Sequence, residues 1–295
     1  GYDEGDYLII PRGCYDELIS QLSCAGVRYN VVDKRQKGRK IDVHFNGALY
    51  PEQQVAAEKM LYNDIGVLAA ATAFGKTVLG AYLIAQKKVN ALVLVHNVEI
   101  MNNWIKDLNS FLTINEELPT YTTPKGRVKK RSSLIGTFSS QKDATTGIID
   151  IAMITSLGRE DNINELVRNY GMVIVDECHH AAAVTHENVL RAVTARYIYG
   201  MSATINRGDK QDKKMFMQLG PIRHRYTAKE RAQKQGIGHY IYPRFTRLVD
   251  LNQSEDRNPA DYYRLIMQSE LRNMQIVSDT MDCVMRGRTP VVMTK

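Results

Sequence analysis

The sequence predicts an α/β fold: a mostly parallel sheet with helices on both faces, preceded by a small α+β domain. Three observations carry this expectation. Continuous apolar runs of strand length, at residues 91–95 and 172–175, suit strands buried on both faces. These runs alternate with stretches of helical spacing, as consecutive βαβ units require. A third run, residues 65–69, feeds a short loop closed by Gly75-Lys76-Thr77 and then helical sequence, which is the strand–loop–helix order of a phosphate-binding loop.

Residues 1–46 read as the small N-terminal domain. Residues 7–10 are expected as a short strand stopped by Pro11. Residues 13–25 place Leu18, Ile19 and Leu22 on one helical face, and Gly26 suits the position just past a helix end. Residues 27–32 and 41–45 alternate and are expected as two more strands. Between them lies the basic run Lys34-Arg35-Gln36-Lys37-Gly38-Arg39-Lys40. It reads equally as a nucleic-acid backbone contact or as a solvated hairpin turn.

The main domain is expected over residues 47–235. Pro51 sits in the first turn of a helix that continues through Leu61. Helical sequence over residues 98–111 carries the only tryptophan, Trp104. Residues 124–131 are basic and polar and are expected as an exposed loop. Strands at 134–138 and 148–154 flank a turn region. A helix at 185–195 and a strand at 197–201 complete the alternation, and residues 221–252 are mixed, with a basic segment at 223–231. Residues 236–286 are expected as linker and helices, helical in pattern from Pro259 to Arg286. Residues 287–295 are expected as the opening strand of a further domain.

Composition bounds the function classes. The 44% apolar and 24% charged content is that of an ordinary globular protein. A net charge of +7 leans toward a polyanionic partner. The four cysteines form no Cys-x-x-Cys pair, so neither a disulfide framework nor a zinc site is indicated. With no signal-like segment and no long apolar span, a cytoplasmic location without a membrane partner is expected.

The loop Ala70-Ala71-Thr72-Ala73-Phe74-Gly75-Lys76-Thr77 points its chemistry at phosphate. Backbone N–H groups of the loop and first helical turn converge where the helix dipole also favours negative charge. Lys76 adds a cation, and the Thr77 hydroxyl can ligate Mg²⁺. Ala70 and Ala73 stand where the general pattern often has glycine. Further on, the apolar run at 172–175 ends in Asp176-Glu177. A phosphate-loop enzyme needs such a pair: Asp176 to hold Mg²⁺ through water, Glu177 to orient and polarise the attacking water. Cys178-His179-His180 follows, but consecutive side chains diverge, so this run is not expected to ligate a metal.

Ala70-x-Thr72-x-x-Gly75-Lys76-Thr77, Asp176-Glu177-Cys178-His179 and Ser202-Ala203-Thr204 resemble motifs I, II and III of superfamily 2 helicases of the DEAD/DEAH (DExH) type. Within that superfamily the chain is similar to the branch of XPB-like helicases and of type I and III restriction-enzyme motor subunits. Pro51-Glu52-Gln53 is similar to a Q-motif, and Val95-His96 with Trp104 to motif Ia. Ile154-Thr155-Ser156-Leu157 is similar to the branch's Ile-Gln-Ser-Leu. The likeness spans roughly residues 47–210, and residues 1–46 are similar in placement to a damage-recognition-like domain.

The resemblance implies a RecA-like lobe in an ATP- and Mg²⁺-dependent helicase or translocase, with DNA favoured over RNA and other subunits or domains as partners. By it, Gln53 would read the adenine edge, and Thr72, Ala73, Phe74, Gly75, Lys76 and Thr77 would wrap the phosphates. Thr77 and Asp176 would fix Mg²⁺, with Glu177 the catalytic base and Lys76 neutralising developing charge. His179, Ser202, Ala203 and Thr204 would link the nucleotide's state to the nucleic-acid groove. Contacts to nucleic acid would come from His96, Asn97, Trp104, Lys125, Arg127, Lys129, Thr155 and Ser156.

The chain departs from the branch at Tyr50 and Asn97, where Arg is frequent, and at Thr155, where Gln is. Such motors also use a second lobe that supplies arginine fingers. Residues 287–295 would be its first strand, so hydrolysis by this chain alone is expected to be slow. Two other classes stay open. One is an inactive nucleic-acid-binding scaffold, with Ala73 the suspect position: a left-handed backbone there costs alanine about 1–2 kcal/mol. The other is a P-loop ATPase that does not act on nucleic acid; the Ser202-Ala203-Thr204 motif and the basic charge speak against it. Defence, mobile-element biology and repair are the processes the likeness suggests.

Overall fold

The computed structural model describes residues 2–4, 7–123, 126–159, 162–179, 184–204, 210–236, 238, 240, 242–245 and 258–293. The chain divides into two compact units, Gly1–Ile237 and Gly238–Lys295.

The first unit opens with β1 (Tyr2–Glu4) and β2 (Tyr7–Ile9), an antiparallel pair, followed by α1 (Tyr15–Cys24). Residues 27–32 form no strand, contrary to the alternation of their sequence. Val27, Val31 and Val32 are exposed there, and alternation yields a strand only where a neighbour takes up the backbone hydrogen bonds. The basic loop after them is tied to the body of the unit rather than projecting as a hairpin. Gln36 N–H donates to Thr194 O, and the Asn90 side-chain oxygen accepts from Arg39 N–H. Arg35 pairs with both Asp33 and Asp64.

β3 (Val43–Phe45), α2 (Pro51–Tyr62), β4 (Ile65–Ala70), α3 (Lys76–Lys87), β5 (Ala91–Val95), α4 (Val98–Phe111) and β6 (Leu112–Ile114) come next. β3 and β6 pair antiparallel, and Ile41 and Val43 lie in the same core as Leu79 and Leu83 of α3. A hairpin, β7 (Thr120–Thr122) with β8 (Val128–Lys130), leads to β9 (Ile135–Ser139), β10 (Lys142–Asp143) and β11 (Ile149–Met153). After the short α5 (Ile154–Leu157) and a second hairpin, β12 (Gly158–Arg159) with β13 (Asn162–Ile163), the chain forms β14 (Met172–Asp176) and α6 (Val184–Ala192). β15 (Tyr197–Ser202), α7 (Lys210–Leu219), β16 (Ile222–Tyr226) and α8 (Ala228–Gln235) close the unit.

The main sheet has the order β10-β9-β11-β5-β14-β15-β4-β16, parallel throughout except for β10. Alternate residues of its inner strands feed two cores. Val93, Val95, Met172 and Ile174 face α2, α3 and α4, while Leu92, Leu94, Val173 and Val175 face α6 and α7. Burial on both faces is why these strands read as unbroken apolar runs. The basic segment at 223–231 is not irregular: it supplies edge strand β16 and helix α8, the latter opened by a reciprocal Thr227–Glu230 cap.

In the second unit, α9 (Pro259–Gln268) is capped by Asn258, and α10 (Glu270–Met285) follows. Arg244 pairs with Asp279 on α10. Residues 288–293 form no strand, and Val291 and Met293 are exposed. An apolar run of this length becomes a strand only beside another, and none pairs with it among the described residues.

Candidate active site

The C-terminal ends of β4, β15 and β14 lie side by side, with Ala69 opposite Ser202 and Asp176 opposite Met201. Parallel pairing therefore brings three distant stretches of sequence to one edge.

The loop after β4 bends through two left-handed residues, Ala73 at φ 62° and Gly75 at φ 84°. A Cβ at Gly75 would also lie 2.4 Å from Gln53 Nε2 and push that amide off its bond to Phe74 O. The loop is braced from outside. Phe74 O accepts from Gln53 Nε2 at 2.7 Å, Thr72 O from Arg231 at 2.7 Å, and Ala71 N–H donates to Tyr226 O at 3.0 Å. Gln53 is buried, and its Oε1 accepts from Tyr50 N–H, closing the cap of α2. Gln53, Tyr50, Phe74, Gly75, Tyr226 and Arg231 line a cleft of about 600 Å³. Past the loop, the first amides of α3 have no intrahelical acceptor and point outward from its N-terminus.

Facing this loop, Lys76 Nζ lies 3.1 Å from Glu177 Oε1. Asp176 is nearly buried; its Oδ2 accepts from Trp104 Nε1 at 2.7 Å and its Oδ1 from the Glu177 amide at 2.9 Å. Thr77 donates its hydroxyl to Asp107. Glu177 itself has a left-handed backbone, φ 45°. The two carboxyl groups are driven apart. Burial raises the pKa of Asp176 against the opposing pull of the Trp104 hydrogen bond. Burial is the largest single influence on Glu177 and pushes it up, but Lys76, His179 and the Ala203 amide together outweigh it and the net shift is down.

From Glu177 the contacts run on. Its Oε2 is 3.3 Å from His179 Nδ1, which is 2.9 Å from Ser202 Oγ, and Ser202 Oγ accepts from the Thr204 amide at 3.2 Å. The Ala203 amide also bonds Glu177 and favours its ionised form. Cys178 points the other way, buried against Gly200, so Cys178 and His179 diverge; His180 lies outside the described residues.

A lysine, a helix N-terminus, a hydroxyl and a buried carboxylate form a donor set that fits a polyphosphate with a hard divalent cation. Within it, the Thr77 hydroxyl and the Asp176 carboxylate are oxygen groups of the kind that would hold Mg²⁺.

The expected nucleic-acid contacts divide. His96 and Asn97 leave the end of β5 next to Ile154 and Thr155 at the end of β11, because Val95 and Met153 are register partners. Asn97 caps α4, its side chain accepting from Ile100 N–H at 2.8 Å. Thr155 is exposed, and Ser156 Oγ accepts from the Ser140 amide. Arg127 and Lys129 are exposed on the β7–β8 hairpin; Lys125 lies outside the described residues. Trp104 is a correction. It is fully buried and bonded to Asp176, so it cannot touch nucleic acid. Asp107, Tyr226 and Arg231 escaped the sequence reading because each meets the loop only through tertiary contact.

The family described as "Type III restriction enzyme, res subunit" matches residues 46–207. The chain is 26% identical over 187 residues to a candidate ATP-dependent RNA helicase of Acanthamoeba polyphaga mimivirus, covering 62% of this chain and 33% of that protein. It is 27% identical over 192 residues to the DNA 3'-5' helicase XPB of Mycobacterium tuberculosis, covering 62% and 32%. The crystal structure of the UvsW helicase from bacteriophage T4 superposes with a TM-score of 0.49 at 13% identity, covering 72% of this chain and 78% of that one. The chain thus spans about a third of the length of these two curated relatives. With more than half of its residues matched, the chain belongs to the family of the type III restriction enzyme res subunit.

Proposed function

We propose that this chain is the nucleotide-binding lobe of an ATP-dependent helicase or translocase that moves on nucleic acid, DNA in preference to RNA. The observation that carries this reading is the unbroken contact path Lys76–Glu177–His179–Ser202–Thr204. It joins the phosphate-facing lysine to the residues after β15, so a change at one end is felt at the other.

The residues suggest a sequence of events. The α3 amides and Lys76 bind the β- and γ-phosphates, and Lys76 then turns from Glu177 toward them. Glu177 Oε1, released, accepts a proton from a water whose oxygen attacks the γ-phosphorus as the bond to the bridging oxygen breaks. Thr77 and Asp176 would hold Mg²⁺, which would supply neutralisation of phosphate charge when bound. His179 and Ser202 keep the second Glu177 oxygen oriented and pass the loss of the Lys76 contact to Thr204. Gln53, Tyr50, Tyr226 and Arg231 form the wall against which the base is read.

The DNA preference is supported by the names of the XPB relatives, while the mimivirus relative is named for RNA. Further subunits or domains are proposed as partners on the family likeness alone. The scaffold alternative gains little from Ala73, because the catalytic contacts around that loop are intact.

ATP binding and hydrolysis are the test, with and without single- and double-stranded DNA and RNA. Nucleic acid is expected to stimulate turnover. Glu177→Gln should retain ATP binding while turnover falls about 10²–10⁴-fold. Hydrolysis that survives this change would overturn the reading, as would turnover indifferent to every nucleic acid when an arginine-bearing second lobe is present.

A further inference from the structure

Helix α4 contributes two side chains, one turn apart, to the two expected cation ligands. Trp104 Nε1 donates to Asp176 Oδ2 at 2.7 Å, and Asp107 Oδ2 accepts the Thr77 hydroxyl. Residues three apart share a helix face, so a single face of α4 reaches both ligands. The approach depends on Gly80 of α3: a Cβ there would lie 2.4 Å from the indole ring. Neither Trp104 nor Asp107 belongs to the phosphate loop or to the Asp-Glu pair.

We propose that Trp104 and Asp107 are positioning residues for the divalent cation, acting through Asp176 and Thr77; this rests on the ATP–Mg²⁺ reading of the site. The chemistry is that of an outer coordination shell. By donating its proton to Asp107, Thr77 is fixed in the rotamer that leaves its oxygen lone pairs for a cation. The indole N–H takes one lone pair of Asp176 Oδ2 and holds the carboxylate plane, while the Glu177 amide anchors Oδ1. A carboxylate held at both oxygens cannot swing to Lys76 when the cation is absent. Asp107 is half-buried, so it can be altered without opening the core.

Calorimetric titration of the whole chain with ADP, in Mg²⁺ and in EDTA, tests this. Trp104→Phe keeps most of the packing and removes the N–H; Asp107→Ala removes the acceptor; Asp107→Asn retains an oxygen that can accept the Thr77 hydroxyl. The affinity gained on adding Mg²⁺ is expected to fall about 10-fold or more in Trp104→Phe and Asp107→Ala. Affinity in EDTA should stay near the wild-type value, and Asp107→Asn should recover most of the loss. Equal losses with and without Mg²⁺ would mark a merely structural role and overturn the proposal. So would a Mg²⁺ gain unchanged in both variants. If the wild-type chain binds ADP in neither condition, the nucleotide reading fails and the proposal falls with it.

Discussion

Ala73 holds φ 62° in the turn of the phosphate loop, a region where a Cβ costs about 1–2 kcal/mol. Its backbone is fixed by Gln53 and Arg231 on either side, at Phe74 O and Thr72 O, which keeps the loop in this shape despite the strain. Ala73→Gly is therefore expected to stabilise the fold by about 1 kcal/mol, less whatever glycine's freer unfolded chain gives back. Urea denaturation would show it as a higher midpoint at unchanged slope, and a lower midpoint would mean the loop is not strained there. The suspicion about Ala73 was legible in the sequence, since the loop pattern has glycine at that position. Trp104 was not: on an amphipathic helix beside motif Ia, an indole reads alike as a base-stacking surface or as core. Only the tertiary contact to Asp176, far away in the chain, decides it.

At the scale of elements, the inner strands were legible because both of their faces are covered. β5 and β14 show five consecutive buried residues each. Edge elements were harder. β16 carries Arg223, His224 and Arg225, whose polarity hid a strand that pairs on one side only, with β4. Residues 27–32 erred in the opposite direction, alternating without a partner. The contact between α3 and α4 was invisible for another reason: Gly80 in mid-helix is locally a defect, and its use appears only when the Trp104 ring lies over it. Gly80→Ala should gain about 1 kcal/mol of helix propensity and lose up to about 3 kcal/mol by overpacking against a fully buried ring. A net destabilisation of about 1–2 kcal/mol is expected by chemical denaturation, and a stabilised variant would show that α3 and α4 can separate freely.

For the molecule as a whole, charge is the coarsest functional statement. Nearly all of the net +7 lies in the first unit, and among the expected contacts His96, Asn97, Thr155 and Ser156 are neutral hydrogen-bonding groups while Lys125, Arg127 and Lys129 carry charge. Counterion release then involves few cations. For about three neutralised phosphates, log affinity against log salt should fall with a slope of roughly −2 to −3. Filter binding or anisotropy across a salt series measures it. A slope near zero would take Lys125, Arg127 and Lys129 off the binding surface. The boundaries expected at residues 46 and 236 and the start of a second lobe at 287 are proposals about domain organisation.

The single tryptophan of the chain ends one hydrogen bond from Asp176. Indole fluorescence responds to a nearby carboxylate and to any change in that carboxylate's charge environment. The protein consequently carries its own optical probe beside the Asp176–Glu177 pair. Ultraviolet emission from this one residue is expected to follow any change at the Asp176 carboxylate in real time, with no dye, label or engineered reporter.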